Sequence, residues 1–273
     1  NFALELGSHR LHYRKGSQVL VVSFDNAARP RSMAYEGRTA WGEELYTGAG
    51  YSFLGIVARK PDWYRSRDLI AALDRLRLDG FFQSFEKVVM IGASMGGFAA
   101  TAFAPLAPSC LVVALSPQTT LDPAVFPFGG HSPEGPRQDW TLPYSDGAKG
   151  IQSARKTYVI YDNLDPLDLK HARLFGQVQN CLCLSIPGGG HGPAPTFSEM
   201  GILKKLMMSL IEERFSPQTY YAQIRSRRKA ANYLRTMQKY VEKKPTAWRT
   251  SVLHSVGLRA REPEHKTDRK SVV

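Results

Sequence analysis

Six short runs of apolar, largely β-branched residues recur along the chain. They are Gln18–Phe24 (QVLVVSF), Ser52–Val57 (SFLGIV), Glu86–Ile91 (EKVVMI), Cys110–Leu115 (CLVVAL), Thr157–Tyr161 (TYVIY) and Cys181–Ile186 (CLCLSI). Each is strand-sized and apolar at successive rather than alternate positions. Such a strand needs cover on both faces, which a parallel sheet with helices on either side provides. Helical patterns stand between the runs. Arg67–Leu78 sets Leu69, Ile70, Leu73 and Leu76 on one stripe, and Met95–Ala104 is small and apolar all round, as a buried helix is. Glu199–Phe215 aligns Ile202, Leu203, Leu206, Met207, Leu210 and Ile211. The alternation predicts an α/β fold with a doubly wound, mostly parallel sheet. The alternating segment Leu4–Tyr13 suits an antiparallel edge hairpin.

One stretch breaks the rhythm. Gln118 to Lys149 carries Pro123, Pro127, Pro133, Pro136 and Pro143 together with Gly129, Gly130, Gly135 and Gly147. A long connection without regular structure is uncommon in a compact domain and often forms a lid or binding loop. Tyr220–Val241 reads as a further long helix with Ile224, Ala231, Leu234, Met237 and Val241 as its apolar stripe, and the polar residues beyond Lys243 read as poorly ordered. The expected organisation is a core over residues 1–215 that includes a Pro/Gly-rich lid segment (118–149), a C-terminal helix over 216–242 and a basic tail over 243–273. Of the 273 residues, those from Ser216 onward hold 14 Lys and Arg against 4 Asp and Glu, so most of the formal net charge of +12 belongs to this helical basic C-terminal extension. A basic end of this kind can bind nucleic acid, anionic lipid or an acidic protein, or be a solvated helix and tail. No aromatic-interleaved nucleic-acid motif accompanies it. Three cysteines, Cys110, Cys181 and Cys183, cannot build a disulfide framework. With the opening NFALELGSHRLHY, which has no signal-peptide pattern, they suggest a cytoplasmic protein. No apolar stretch approaches the roughly 20 residues of a membrane span.

The residues that carry chemistry are Gly92-Ala93-Ser94-Met95-Gly96-Gly97, which follow the strand EKVVMI and open the helix MGGFAATAFA. A serine on a sharp strand-to-helix turn is held in a strained backbone with its hydroxyl above the sheet edge. The turn crowds residues two before and two after, and Gly92 and Gly96 meet that need. The Met95 N–H, in the first helical turn, would point at an oxyanion formed on a carbonyl attacked by Ser94. A serine hydroxyl needs a base. His191, in PGGGHGPAP after the last strand, lies at the carboxyl edge of the sheet, where catalytic groups of open α/β sheets collect. His171 is the rival, inside the helix start DPLDLKHARLF. The base in turn needs a carboxylate. The strand TYVIY ends in YDNLDPLDLKHA, which offers Asp162, Asp165 and Asp168. Asp165 is the expected acid because it stands in a short turn past the strand end. Asp162 would shape the turn, and Asp168 would serve as an N-cap or first-turn residue.

The order Ser94…Asp165…His191, with GASMGG, DNLDP and GGGHG at their strand ends, resembles the α/β-hydrolase superfamily over roughly residues 18–214. The resemblance implies nucleophile, acid and base at these positions. It also implies a second oxyanion donor from the loop SFDNAARPR, carried to the backbone near Asp25 or Asn26. The family commonly has glycine where Asp162 stands, and the HGGG motif of some lipases is absent. The lid segment would select the substrate, with Trp140, Phe126, Phe128 and Tyr144 as walls and Arg137 and His131 to attract an anionic group. No P-loop, dinucleotide fingerprint or H-E-x-x-H is present, and Cys181-x-Cys183 has the wrong spacing for zinc, so neither a metal nor an organic cofactor is expected. The expected activity is a serine esterase working through an acyl-enzyme on a small-molecule or glycan acyl substrate. The alternatives are an acyltransferase, for example onto a sugar, and a non-catalytic scaffold that binds a partner through the basic C-terminus.

Overall fold

A computed structural model describes residues 1–27, 38–243 and 246–255. Eight strands form one sheet: β1 (Phe2–Leu6), β2 (His9–Arg14), β3 (Val19–Phe24), β4 (Ser52–Ala58), β5 (Lys87–Ala93), β6 (Leu111–Leu115), β7 (Lys156–Tyr161) and β8 (Cys181–Ser185). Their spatial order is β1-β2-β4-β3-β5-β6-β7-β8. The hairpin β1–β2 joins β4 antiparallel, and every other pairing is parallel. The inner strands are buried on both faces, whereas β2 alternates between buried and half-buried positions, as a partly solvated edge pair does.

In β3, Leu20, Val22 and Phe24 face one core while Val21 faces the other. The first core is closed by α2 (Arg67–Leu78), α3 (Met95–Ala102), the single turn α4 (Gly147–Gly150) and α5 (Pro166–Phe175) through Leu69, Leu73, Phe98, Ala148 and Phe175. The second is closed by α1 (Glu43–Gly48), α6 (Pro193–Glu199), α7 (Leu203–Ile211) and α8 (Pro217–Gln223) through Tyr46, Phe197, Leu206, Leu210 and Tyr220. After β3 the chain moves to one side for β4 and to the other for β5. The carboxyl ends of β3 and β5, in register at Phe24 and Gly92, therefore flank the switch point where open α/β sheets place their sites.

Two helical expectations are corrected. The pattern over Glu199–Phe215 is cut at Gly201, whose φ of 71° lies in the left-handed region, so α6 ends before α7 begins. The helix expected over Tyr220–Val241 is broken into α8, a 3₁₀ stretch (Ile224–Lys229), an extended Ala230 and α9 (Ala231–Lys243). Arg225 would face Arg228 and Lys229 at i+3 and i+4 on a continuous helix, and like charges at that spacing destabilise it. The stretch read as poorly ordered beyond Lys243 contains a helix, α10 (Ala247–Ser255), and the rest of the tail, 256–273, lies outside the described residues. Among the described residues no helix is long and apolar enough to cross a membrane.

Candidate active site

The turn between β5 and α3 is as tight as its composition allows. Ser94 has φ 54° and ψ −116°, and its N–H donates to the Leu115 carbonyl at 2.8 Å. A Cβ on Gly92 would sit 2.2 Å from the Gly96 carbonyl oxygen, and one on Gly96 would sit 2.3 Å from that of Phe24. Both positions require glycine, because the obstruction is backbone. The strained serine is held by α3 behind it and by β6 beside it.

Ser94 Oγ lies 2.8 Å from His191 Nε2. His191 Nδ1 lies 2.7 Å from Asp168 Oδ1. A carboxylate only accepts, so Nδ1 carries the ring proton and Nε2 is free to accept from the serine hydroxyl. The Asp168 side chain is fully buried, and its hydrogen bonds to imidazole N–H groups, working against the burial cost, hold its carboxyl down at about 2.

This corrects the expectation that Asp165 reaches His191. Asp165 is the N-cap of α5, and its Oδ1 accepts from the Leu167 and Asp168 N–H groups at 2.9 and 3.1 Å. Asp168, in the first turn of α5, presents its carboxylate to the imidazole instead. Asp162 shapes the loop that carries His191. Its buried carboxylate accepts from the N–H groups of Leu164, Gly188 and Gly190 and from the Tyr240 hydroxyl. The last contact comes from α9, which also sets Tyr233 beneath Gly188, Thr236 against Gly190 and Asn232 Nδ2 3.4 Å from the Gly189 carbonyl. The C-terminal extension is thus packed onto the loop that carries His191.

The segment 118–149 is anchored by the buried residues Gln118, Thr119, Thr120, Leu121 and Phe126. Thr119 N–H donates to His171 Nδ1 at 3.1 Å, and the His171 ring stacks on Phe126. Burial pushes His171 down to about 3, so it stays neutral and ties this segment to α5. His131, expected only as an attractor of anions, is brought into the site. Its ring stacks on that of His191 with centroids 3.7 Å apart, and its Nε2 lies 3.1 Å from Asp168 Oδ1 and 3.2 Å from Asp165 Oδ1. The two carboxylates outweigh partial burial and raise His131 to about 9. Nothing in the sequence near His131 signals this, because the segment's path alone brings it there.

Other expected site residues are placed differently. Trp140 is 7% exposed and belongs to the core, edge-on to Phe98 with its Nε1–H donated to the Gly135 carbonyl, so it is no pocket wall. Arg137 is exposed on the turn Gly135–Arg137, and no hydrogen bond or ion pair among the described residues joins it to Ser94, His191 or Asp168. Met95 is the first residue of α3, whose first-turn N–H groups have no acceptor within the helix. The Asn26 N–H, however, donates to Asp25 Oδ1 at 2.9 Å, so the donor expected there is already engaged. His131, Asp168 and His191 together offer a metal three ligand atoms within 4.8 Å of one another. Two of these already serve the chain running to Ser94.

No family model and no curated protein matches the sequence. Among solved structures, the capsule O-acetyltransferase of Neisseria meningitidis serogroup A matches with a TM-score of 0.52 at 16% identity, over 77% of this chain and 94% of that one. Est1E from Butyrivibrio proteoclasticus matches with a TM-score of 0.51 at 14% identity, over 77% of this chain and 98% of that one. At these identities the likeness is one of fold.

Proposed function

We propose that the chain is an acyl-transferring serine enzyme of the α/β-hydrolase kind, with Ser94 as nucleophile, His191 as base and Asp168 as acid. One observation carries this reading: the unbroken chain from Ser94 Oγ to His191 Nε2 and from His191 Nδ1 to Asp168, built on a strained elbow at the topological switch point. Ser94 Oγ bonds to the carbonyl carbon of an ester or thioester while its proton passes to His191 Nε2. The tetrahedral oxyanion is met by the Met95 N–H at the positive end of α3, a donor of a kind worth about 10²–10³ in rate. His191 then gives its proton to the leaving alcohol or thiol, and the acyl group stays on Ser94 until a hydroxyl deprotonated by His191 takes it. The segment 118–149, which covers one face of the His191 ring with His131, serves as the lid.

Water as the acceptor makes the protein an esterase, and an alcohol makes it an acyltransferase. The second reading draws on the fold neighbour described as a capsule O-acetyltransferase, one of whose structures is a complex with CoA. The test is fluorophosphonate labelling followed by intact-mass and peptide analysis. The wild type gains one adduct at Ser94 and hydrolyses p-nitrophenyl acetate, and Ser94→Ala does neither. A folded wild type that is neither labelled nor active refutes the reading. Added sugar or alcohol then separates the two acceptors by the ratio of acylated product to free acid.

A further inference from the structure

We propose that His131 is a positioning residue for the acyl-transfer reaction proposed above, acting through Asp168 and through the ring face of His191. The inference rests on that reading and on four observations. The imidazoles of residues 131 and 191 are stacked at 3.7 Å, 28° from parallel. Both rings reach the same oxygen, Asp168 Oδ1, at 3.1 and 2.7 Å. Asp165 adds a second carboxylate oxygen 3.2 Å from His131 Nε2. Asp168 Oδ2 is buried without a partner, so both contacts fall on one oxygen.

His131 faces Asp165 and Asp168 from α5 and His191 from the loop after β8. His171 of α5 also acts on it at longer range, and Tyr240 of α9 lies near the same two carboxylates. Two anionic partners against one imidazole keep residue 131 protonated at neutral pH. Its Nε2–H donates to the Asp168 oxygen that also accepts from His191 Nδ1, and its ring covers one face of the His191 imidazole. His131 therefore holds both partners of that hydrogen bond in the orientation that sets His191 Nε2 2.8 Å from Ser94 Oγ. Its neighbour Asp165, otherwise a helix cap, takes part by holding His131 in place.

The test compares kcat and KM for p-nitrophenyl acetate in wild type, His131→Gln and His131→Ala. His131 lies on a segment anchored by Leu121 and Phe126, so the variants keep the fold, which a thermal melt checks. Glutamine retains an N–H for the carboxylates without the charge. In His131→Ala kcat falls about tenfold with KM little changed, and His131→Gln recovers most of that loss. A purely structural role would lower the melting temperature and leave glutamine no better than alanine, and an unchanged kcat in His131→Ala overturns the proposal. An NMR titration of the His131 ring in the intact wild type reads the contact without any turnover. A midpoint near 9 that falls in Asp165→Asn is the expected result, and an ordinary midpoint near 6.5 overturns it. A wild type that lacks both activity and labelling would instead refute the acyl-transfer reading, whatever the titration gave.

Discussion

Replacing Asp168 by asparagine tests whether it, and not its neighbour three residues earlier, is the acid of the proposed relay. Asp168 is fully buried, with its Oδ1 2.7 Å from His191 Nδ1. In the proposed reaction His191 becomes an imidazolium as Ser94 attacks. A unit charge about 4 Å from the carboxylate, at an effective dielectric of about 20, interacts by about 4 kcal/mol. A hydrogen bond to a charged group adds about 1.5–3 kcal/mol. The variant loses the charge and can also turn its amide to the wrong ring tautomer. The sum, about 5.5–7 kcal/mol, corresponds to a fall of about 10⁴–10⁵ in kcat at about 1.4 kcal/mol per decade. Asp165→Asn makes a sharp control. Asparagine caps a helix as well as aspartate does, and Asp165 does not touch His191, so its kcat falls less than about tenfold. The assay is steady-state hydrolysis of p-nitrophenyl acetate at the pH optimum of each variant, with near-UV circular dichroism to verify packing. If Asp165→Asn loses as much as Asp168→Asn, or if Asp168→Asn keeps a tenth of wild-type kcat, the assignment of the acid is wrong.

Asp162→Asn turns an amide N–H₂ toward donors that need an acceptor and costs about 1–3 kcal/mol, so a lower melting temperature with kcat reduced more than KM is raised is expected. Gly96→Ala drives a Cβ to 2.3 Å from the Phe24 carbonyl and to 2.7 Å from that of Asp25. Little soluble, fluorophosphonate-reactive protein results, whereas Gly97→Ala, with contacts no closer than 3.2 Å, is milder by the same assay. Melting temperature measured against pH follows two groups. His131 is raised from 6.5 to about 9, so its contribution is complete below pH 6.5 and is lost as pH rises through 9. Asp168 is lowered from 3.8 to about 2, so its contribution is present above pH 3.8 and is lost as pH falls through 2. A His131→Gln variant whose alkaline fall matches the wild type would contradict the first half of that account.

The sheet is readable in the chain because doubly buried strands are apolar at successive positions, as β6 (LVVAL) is throughout and β3 (VLVVSF) is but for Ser23. The elbow was readable because only small residues fit around Ser94. The capping position of Asp165 is legible as well. Asp165-Pro166 is an N-cap followed by proline at the first helical position, which commits the Asp165 carboxylate to the N–H groups of Leu167 and Asp168. The residue one turn inward was then the one free to face the sheet edge. Trp140 looked like a pocket wall because a Pro/Gly-rich stretch resembles an open loop, yet its ring completes the core beside Phe98. His131 and Tyr240 were invisible, since each reaches the site through a path that no local pattern encodes. The break between α8 and α9 could have been foreseen from the clustered Arg225, Arg227, Arg228 and Lys229.

The brace between Tyr240 and the Asp162 carboxylate has a bearing on biosynthesis. The ribosome delivers Ser94, then Asp168, then His191, and only some fifty residues later the hydroxyl that steadies the histidine's turn. A nascent polypeptide can therefore assemble its sheet and expose Ser94 while the turn of His191 still lacks its brace. A chain cut before α9 folds without that hydroxyl, so the turn that carries His191 is left to Asp162 alone.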